Sequence, residues 1–550
     1  MARTDRGPLL VLGASIGLVL LLAAAFPGER RTPITTADLG VPVIAIESGR
    51  ITVEAPADLE VRYTTDGSVP GPWSARWTNT TVLGPDERNA QRLIRTPTSP
   101  QWRTPELGPM ADAVTLRCRL CDGEGRCGPV VVRTLLTTPH ALPVVALTLD
   151  AGGFMDADTG IYVVGHGIFR DGELAVQRYP RDQKWWKYPG NYQFHGKQWE
   201  RTAWMELFNG SGEREWSGAA AVRINGNNTR GFPQHALRLS FEGPLNVPVF
   251  GADHGSGYRG LVLRAGGNDQ DHAFLRDALQ HRLCSDLPFF TSAYRPCVLL
   301  LNGAYWGLHD LRERMDDREV ARRIGVPRKA ITILADRAIL YDGDEREVAR
   351  FTRLLGRAEK WDADAPGFTD SLQRYLDVEG FLQYMAAQLI LGNADWPDQN
   401  VKYWRYTGAP DTVAGPRDGR WRFMMGDSDQ GFGDPVGAEY DHFERVLSKA
   451  TPVPRLFKAC LRSLQFRERF RAIVLDQLAG ALSPERMDAA VVSLSNDLTP
   501  FMSRHIDRWR RPSSMEAWRH HVHLLRSFAA ERAEHVRRQL DLHFPAGARS

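Results

Sequence analysis

"GNADWPDQN" (residues 392–400) and, further along, "MMGDSDQGFG" (residues 424–433) decide how this chain is read. Ahead of the first, Leu376 to Asn393 carries apolar residues at 378, 381, 382, 385, 389 and 390, the spacing of a helix with one buried face. That helix delivers Asp395 into a loop that also contains Asn400. "VKYWRY" then reads as a strand, "TGAPDTVAGPRDG" as a Gly/Pro-rich turn, and "RWRFMM" as a second strand ending at Gly426-Asp427-Ser428-Asp429. Taken singly, either acidic loop is an ordinary turn, because Asp, Asn and Gly favour turns. Helix, acidic loop, hairpin and second acidic loop, in that order, make the two halves of a metal–phosphate site.

The chemistry of such a site needs this spacing. Asp395 and Asn400 stand as D-x4-N, the pattern of a protein-kinase catalytic loop, in which the Asp orients the substrate hydroxyl and the Asn turns back to a divalent metal. An Asp just after the hairpin, here Asp427, holds Mg2+ across the β- and γ-phosphates. The second loop is not an EF-hand, since Phe432 stands where that loop needs Gly and Ala438 where it needs Glu.

Outward from these loops, 550 residues imply two or three domains, and 43% hydrophobic with 25% charged residues is a globular composition. Lys and Arg total 69 against 66 Asp and Glu, a net +3 that does not point to nucleic acid as a partner. Residues 1–28 carry Arg3 and Arg6 and then an uncharged run from Gly7 to Gly28, long enough to span a bilayer. It reads as a membrane-anchor helix, with a cleaved signal peptide as the competing reading. The expected location is therefore membrane-anchored through one N-terminal helix, with the bulk of the chain outside the cytoplasm. Residues 29–41 form a polar linker. Residues 42–140 show strand-like alternation without a long helical period and read as a small β-sandwich. Within it "RCRLCDGEGRC" favours a hairpin disulfide between Cys118 and Cys127, and Trp73 and Trp77 read as packing residues. From residue 141 to 550 the texture is α+β: "LPVVALTLD" and "TGIYVVG" read as strands, "DHAFLRDALQHRL" as an amphipathic helix, and helices dominate after about residue 440.

Two resemblances follow. "VRYTTDGSVPGPWSARW" resembles the signature of the chitobiase/β-hexosaminidase C-terminal type of Ig-like domain, an accessory module that implies no catalysis but a glycan or protein partner in the cell envelope. Residues 143–440 resemble the spore-coat CotH protein-kinase-like family through "VRINGNNTRGFPQHALRLSF", "LVLRAGGNDQDHAFLRDAL", "VLLLNGAYWGLHDLRERMD", "QLILGNADWPDQNVKYWRY" and "WRFMMGDSDQGFG". That resemblance implies a protein-kinase-like fold with a helical C-terminal portion. It also implies transfer of phosphate from ATP, with Mg2+ or Mn2+, to a protein serine. Carried over, Asp395 is the catalytic Asp, Asn400 and Asp427 are metal ligands, and Asp429 is a second acid supporting the metal. Glu313 orients the cation that grips the phosphates, for which Arg223, Arg238 and Arg264 are candidates. Asn268, Asp269, Arg276 and Asp277 also fit the family pattern, and ion pairs within the lobe account for them equally well.

The chain departs from that pattern. Gln234 and His235 stand where members often carry lysines, and no G-x-G-x-x-G loop precedes a V-A-I-K strand. Arginine can grip phosphate bidentately in place of lysine. Lys402 is a further candidate, although a solvent-facing strand lysine is the plainer reading. Beside the kinase stand two other readings: a non-catalytic envelope or spore-coat-type scaffold, and phosphoryl or nucleotidyl transfer to a non-protein acceptor.

Overall fold

The computed structural model describes residues 39–106, 108–167, 169–170, 173–174 and 184–546. The apolar run Gly7–Gly28, read above as an anchor or signal peptide, lies outside the described residues. Among the described residues no helix is long and apolar enough to cross a membrane.

The chain divides into two compact units. In the smaller, β1 (Val43–Glu47) pairs antiparallel with β2 (Arg50–Glu54), whose residues alternate exposed and buried as a one-faced strand requires. A second sheet places β3 (Glu60–Thr64) between the short β4 (Ala75–Arg76) and β5 (Ala113–Cys121), with β6 (Val131–Leu136) beyond; β5 begins and β6 ends in residues of the larger unit. The disulfide joins Cys121 to Cys127, not Cys118 to Cys127. Cys121 and Cys127 face each other across the hairpin with Cα atoms 4.1 Å apart, while Cys118, opposite Tyr63, is buried as a free thiol. Trp77 packs edge-on against Tyr63, as a packing residue should. Trp73 does not pack: it is 95% exposed.

Residues 42–140 do not form one continuous unit. Residues 65–68 and 83–116 cluster with the larger unit, and they include a helix, α1 (Glu87–Ile94), capped by the Asp86 side chain. Its buried Ala90, Leu93 and Ile94 join that unit's core.

The larger unit is built on β7 (Val144–Leu149), a small hairpin of β8 (Phe169–Arg170) and β9 (Glu173–Leu174), and then β10 (Arg201–Phe208), β11 (Arg214–Ile224), β12 (Leu237–Leu245), β13 (Tyr258–Arg264), β14 (Tyr294–Leu301) and β15 (Ala304–Glu313). Seven of these close into a barrel in the order β10-β11-β12-β13-β15-β14-β7. Every residue of β15 is buried between two paired neighbours, including His309, Asp310, Arg312 and Glu313 as well as its apolar side chains. A second, four-stranded sheet runs β17 (Ile339–Asp342), β16 (Ile331–Ala335), β18 (Val401–Tyr406), β19 (Arg422–Met425). The helices that position the site are α2 (Arg276–Leu283), α3 (Asp317–Ile324), α4 (Val378–Leu391), α5 (Pro484–Trp509) and α6 (Met515–His543). The expected helical C-terminal portion is present from His442 onward.

Thr159–Gly165 is not a strand. Ile161 to Val164 are buried, but Asn191 Nδ2 satisfies the carbonyls of Ala157 and Gly160 at 2.9 Å each, and Tyr162 packs on His235 and Trp306 instead of on a strand partner.

Candidate active site

α4 is apolar save for Glu379, Gln383 and Gln388, and the structure buries all of it but Glu379 and Gln383, not one face only as its spacing suggested. It starts on the Asp377 cap and stops at Gly392 in the left-handed region. Arg532 of α6, itself wholly buried, donates to the carbonyls of Leu389 at 2.7 Å and Ile390 at 3.0 Å, which places a cation on the helix's negative end. The loop that follows is therefore anchored at its root.

That loop and the one after β19 are stitched together. Asn393 Oδ1 accepts the N–H of Asp395 at 3.2 Å, while its Nδ2 donates to the Asp427 carbonyl at 3.2 Å. Ala394 N–H donates to the Gln430 carbonyl at 2.7 Å. Buried Trp396 donates to the Tyr384 hydroxyl at 2.9 Å and fixes the middle of the loop to α4. Asn400 ends it with φ +61°, a conformation Asn tolerates better than most residues. Gly426 is required opposite: a Cβ there would stand 2.2 Å from the Asn400 carbonyl oxygen.

The carboxylates meet in one place. Asp395, Asn400 and Asp427 line a single cavity of about 140 Å³, walled by the turn from Asn225 to Thr229 and by Gly267 and Asn268. An adjoining cavity of about 330 Å³ shares Arg264, Asn400 and Asp427 and adds Arg238 and Lys402. Burial and then the charge of Asp427 push the Asp395 carboxyl above the usual range, against a weaker pull from Arg445.

Arg264, at the end of β13, is the counter-ion. It donates to Asp427 at 2.7 and 3.3 Å and to Asp429 at 2.6 Å, with Asp277 at 3.7 Å. Burial opposes its charge, but these three carboxylates hold it well above its ordinary pKa. Asp277 of α2 accepts the Ser428 N–H at 3.0 Å and pairs with Arg312 at 3.0 Å. Burial favours its neutral form, and Arg264 and Arg312 outweigh that and hold it ionised. Gly267, φ +62°, is the close approach that makes room: an added Cβ would lie 2.0 Å from Asp429 Oδ2 and 2.4 Å from Arg264 Nη2.

The remaining expected residues fall elsewhere. Asp429 is buried and lines neither cavity; its oxygens accept from Arg264 at 2.6 Å and from the Asn268 N–H and Nδ2 at 2.8 and 3.0 Å, so in this structure it positions Arg264. Glu313 is buried against α3, accepting from Arg322 at 3.1 Å, from Arg323, and from the Ala293 N–H at 2.8 Å. Its cations belong to the helix and are not Arg223, Arg238 or Arg264. Arg238 lines the 330 Å³ cavity, its buried Nε without a hydrogen-bond partner, whereas Arg223 faces a third cavity. Lys402 turns inward: it donates to the Met315 carbonyl at 3.0 Å and lies 3.9 Å from the Tyr341 ring centre. Gln234 and His235 are buried, and Asp269 pairs with Arg276 inside the lobe. Asn393 and Gly267 were passed over in the sequence, although the "GN" at the end of α4 is a helix-stop signal that marks the first.

Residues 222–536 match the family model described as CotH kinase protein. No curated protein matches the chain.

Proposed function

The chain belongs to the CotH kinase family, and from that membership we propose that it transfers the γ-phosphoryl group of ATP to a serine hydroxyl of a protein. One observation supports this most. The half-buried Asp395 carboxylate, among the described residues, receives no hydrogen bond, and it shares a cavity with Asn400 and a partly exposed Asp427. Two carboxylates and an amide oxygen are the hard-donor chemistry that suits Mg2+ or Mn2+, and a divalent ion there would offset both the burial and the Asp427 repulsion that raise Asp395.

In this reading Asn400 and Asp427 hold the ion, and the ion's contribution is to neutralise charge on the β- and γ-phosphates. Asp395 orients the acceptor hydroxyl and takes its proton. Arg238 and Lys402, on the wall of the adjoining cavity, grip the phosphates in place of the absent lysine strand, and Arg264 keeps the acid loop compact. We further propose that the N-terminal apolar segment tethers the chain to a membrane. Incubation with γ-phosphate-labelled ATP, metal and a serine-rich protein tests the transfer. Label appearing on the protein with the wild-type chain, and not with Asp395→Ala, is expected; equal labelling by both removes Asp395 from the chemistry.

A second reading has its own observation. Arg264 already neutralises Asp427 through two hydrogen bonds, as suits a kinase-like scaffold without catalysis. Absence of any ATP- and metal-dependent rise in melting temperature at millimolar ligand would favour it.

A further inference from the structure

Beyond the reacting cavities lies a groove of about 820 Å³ between the outer faces of β11, β12 and β13 and helix α3. It joins the 330 Å³ cavity through Arg238 and Arg314, which line both. Its carboxylates are largely spent. Asp316 pairs with Arg314 at 2.6 Å, and Glu319 with Arg322 at 2.6 Å and Arg323 at 2.9 Å. Among the described residues, Lys197, Arg223, Arg238, Arg259 and Arg318 have no ion-pair partner, and only Glu200 and Glu242 on the same walls are unpaired acids.

The most telling placement is Arg223 directly opposite Arg238 in the β11–β12 register. Like charges in that position destabilise a sheet unless an anion lies over them. Guanidinium forks match carboxylate and phosphate geometry, so the groove selects anions. Its volume exceeds that of either cavity beside Asp427. Phe241 is its one aromatic lining residue and is buried, so nucleic-acid bases would find nothing to stack on.

We propose that this groove binds an acidic, Asp/Glu-rich polypeptide segment. Its role as a docking site that brings an acceptor to Asp395 rests on the kinase reading; the binding itself does not.

The test uses the full chain without ATP and three fluorescent peptides of equal length: Asp/Glu-rich, phosphoserine-containing, and a neutral Asn/Ser control. Fluorescence anisotropy is expected to show the Asp/Glu-rich peptide binding at least tenfold tighter than the control and no weaker than the phosphoserine peptide; tighter binding of the phosphoserine peptide overturns the acidic assignment. Arg259→Ala combined with Arg318→Ala is expected to weaken Asp/Glu-rich peptide binding at least tenfold. Arg259 is exposed and Arg318 half-buried, and an unchanged melting temperature verifies the fold. A charge reversal, Arg259→Glu alone, should weaken binding as well. Equal affinity for the neutral peptide, binding indifferent to these substitutions, or stoichiometric displacement by ATP each overturns the proposal. Loss of phosphoryl transfer by Asp395→Ala with peptide binding intact separates this site from the reacting one.

Discussion

The side-chain amide of Asn393 donates to the backbone carbonyl of Asp427 at 3.2 Å while its oxygen caps the Asp395 N–H, so one buried residue holds both acidic loops in register. Asn393→Ala removes all of these bonds and strands buried polar groups. Urea denaturation should show a loss of about 1–3 kcal/mol. In the kinase reading, kcat should fall further than that loss of stability accounts for.

Gly267→Ala attacks the same site from the other side. The new Cβ would overlap Asp429 and Arg264, and φ +62° is itself unfavourable for Ala. The substitution should cost about 2–4 kcal/mol by thermal or urea unfolding. A neutral result would show that Arg264 can leave Asp429 without consequence.

Two buried arginines make opposite predictions. Arg532 donates to the carbonyls of Leu389, Ile390, Ala438 and Tyr440, and Arg532→Met should cost about 3 kcal/mol by leaving those carbonyls unpaired. Arg508 is equally buried, but none of its guanidinium nitrogens has a hydrogen-bond partner, and it is stacked 4.5 Å from the Trp306 ring and 3.8 Å from that of Trp509. Burial pulls its pKa down to about 9. Arg508→Met should therefore leave the melting temperature unchanged or raise it.

His272 and Asp434, 2.7 Å apart, tie the turn before α2 to the chain just beyond Gly433. The hydrogen bond to Asp434 raises the His272 pKa above 6.5, and the same bond lowers that of Asp434 below 3.8. The imidazolium's contribution is complete below pH 6.5 and is lost as pH rises through the raised value. The carboxylate's is complete above pH 3.8 and is lost as pH falls below it. Both groups are partly exposed, so the pair is worth about 0.5–1 kcal/mol. His272→Gln should flatten the stability profile between pH 6 and 8; an unchanged slope there would assign it to other histidines.

How far the sequence could carry this picture is clear from particular residues. The α4 run, the Gly392 stop, the β18–β19 hairpin and the meeting of Asp395, Asn400 and Asp427 were legible because they depend on local periodicity and order along the chain. Arg264's grip on Asp427 was not, because it spans 163 positions and no local pattern records it. The disulfide choice failed on hairpin geometry: Cys121 closes the turn, whereas Cys118 lies deeper in the strand. "TGIYVVG" had strand composition but no strand to pair with, and pairing decides. Glu87–Ile94 was missed because a helix so short shows scarcely two turns of period among strands.

The central claim is that Asp395, Asn400 and Asp427 act around one shared divalent ion. Titration of Mn2+ into the full chain with a non-hydrolysable ATP analogue, followed by electron paramagnetic resonance, tests it most directly. The account predicts a tight Mn2+ site that Asp427→Asn weakens at least tenfold and Asn400→Ala weakens measurably, with the fold intact in both. Mn2+ binding that neither substitution alters would contradict it.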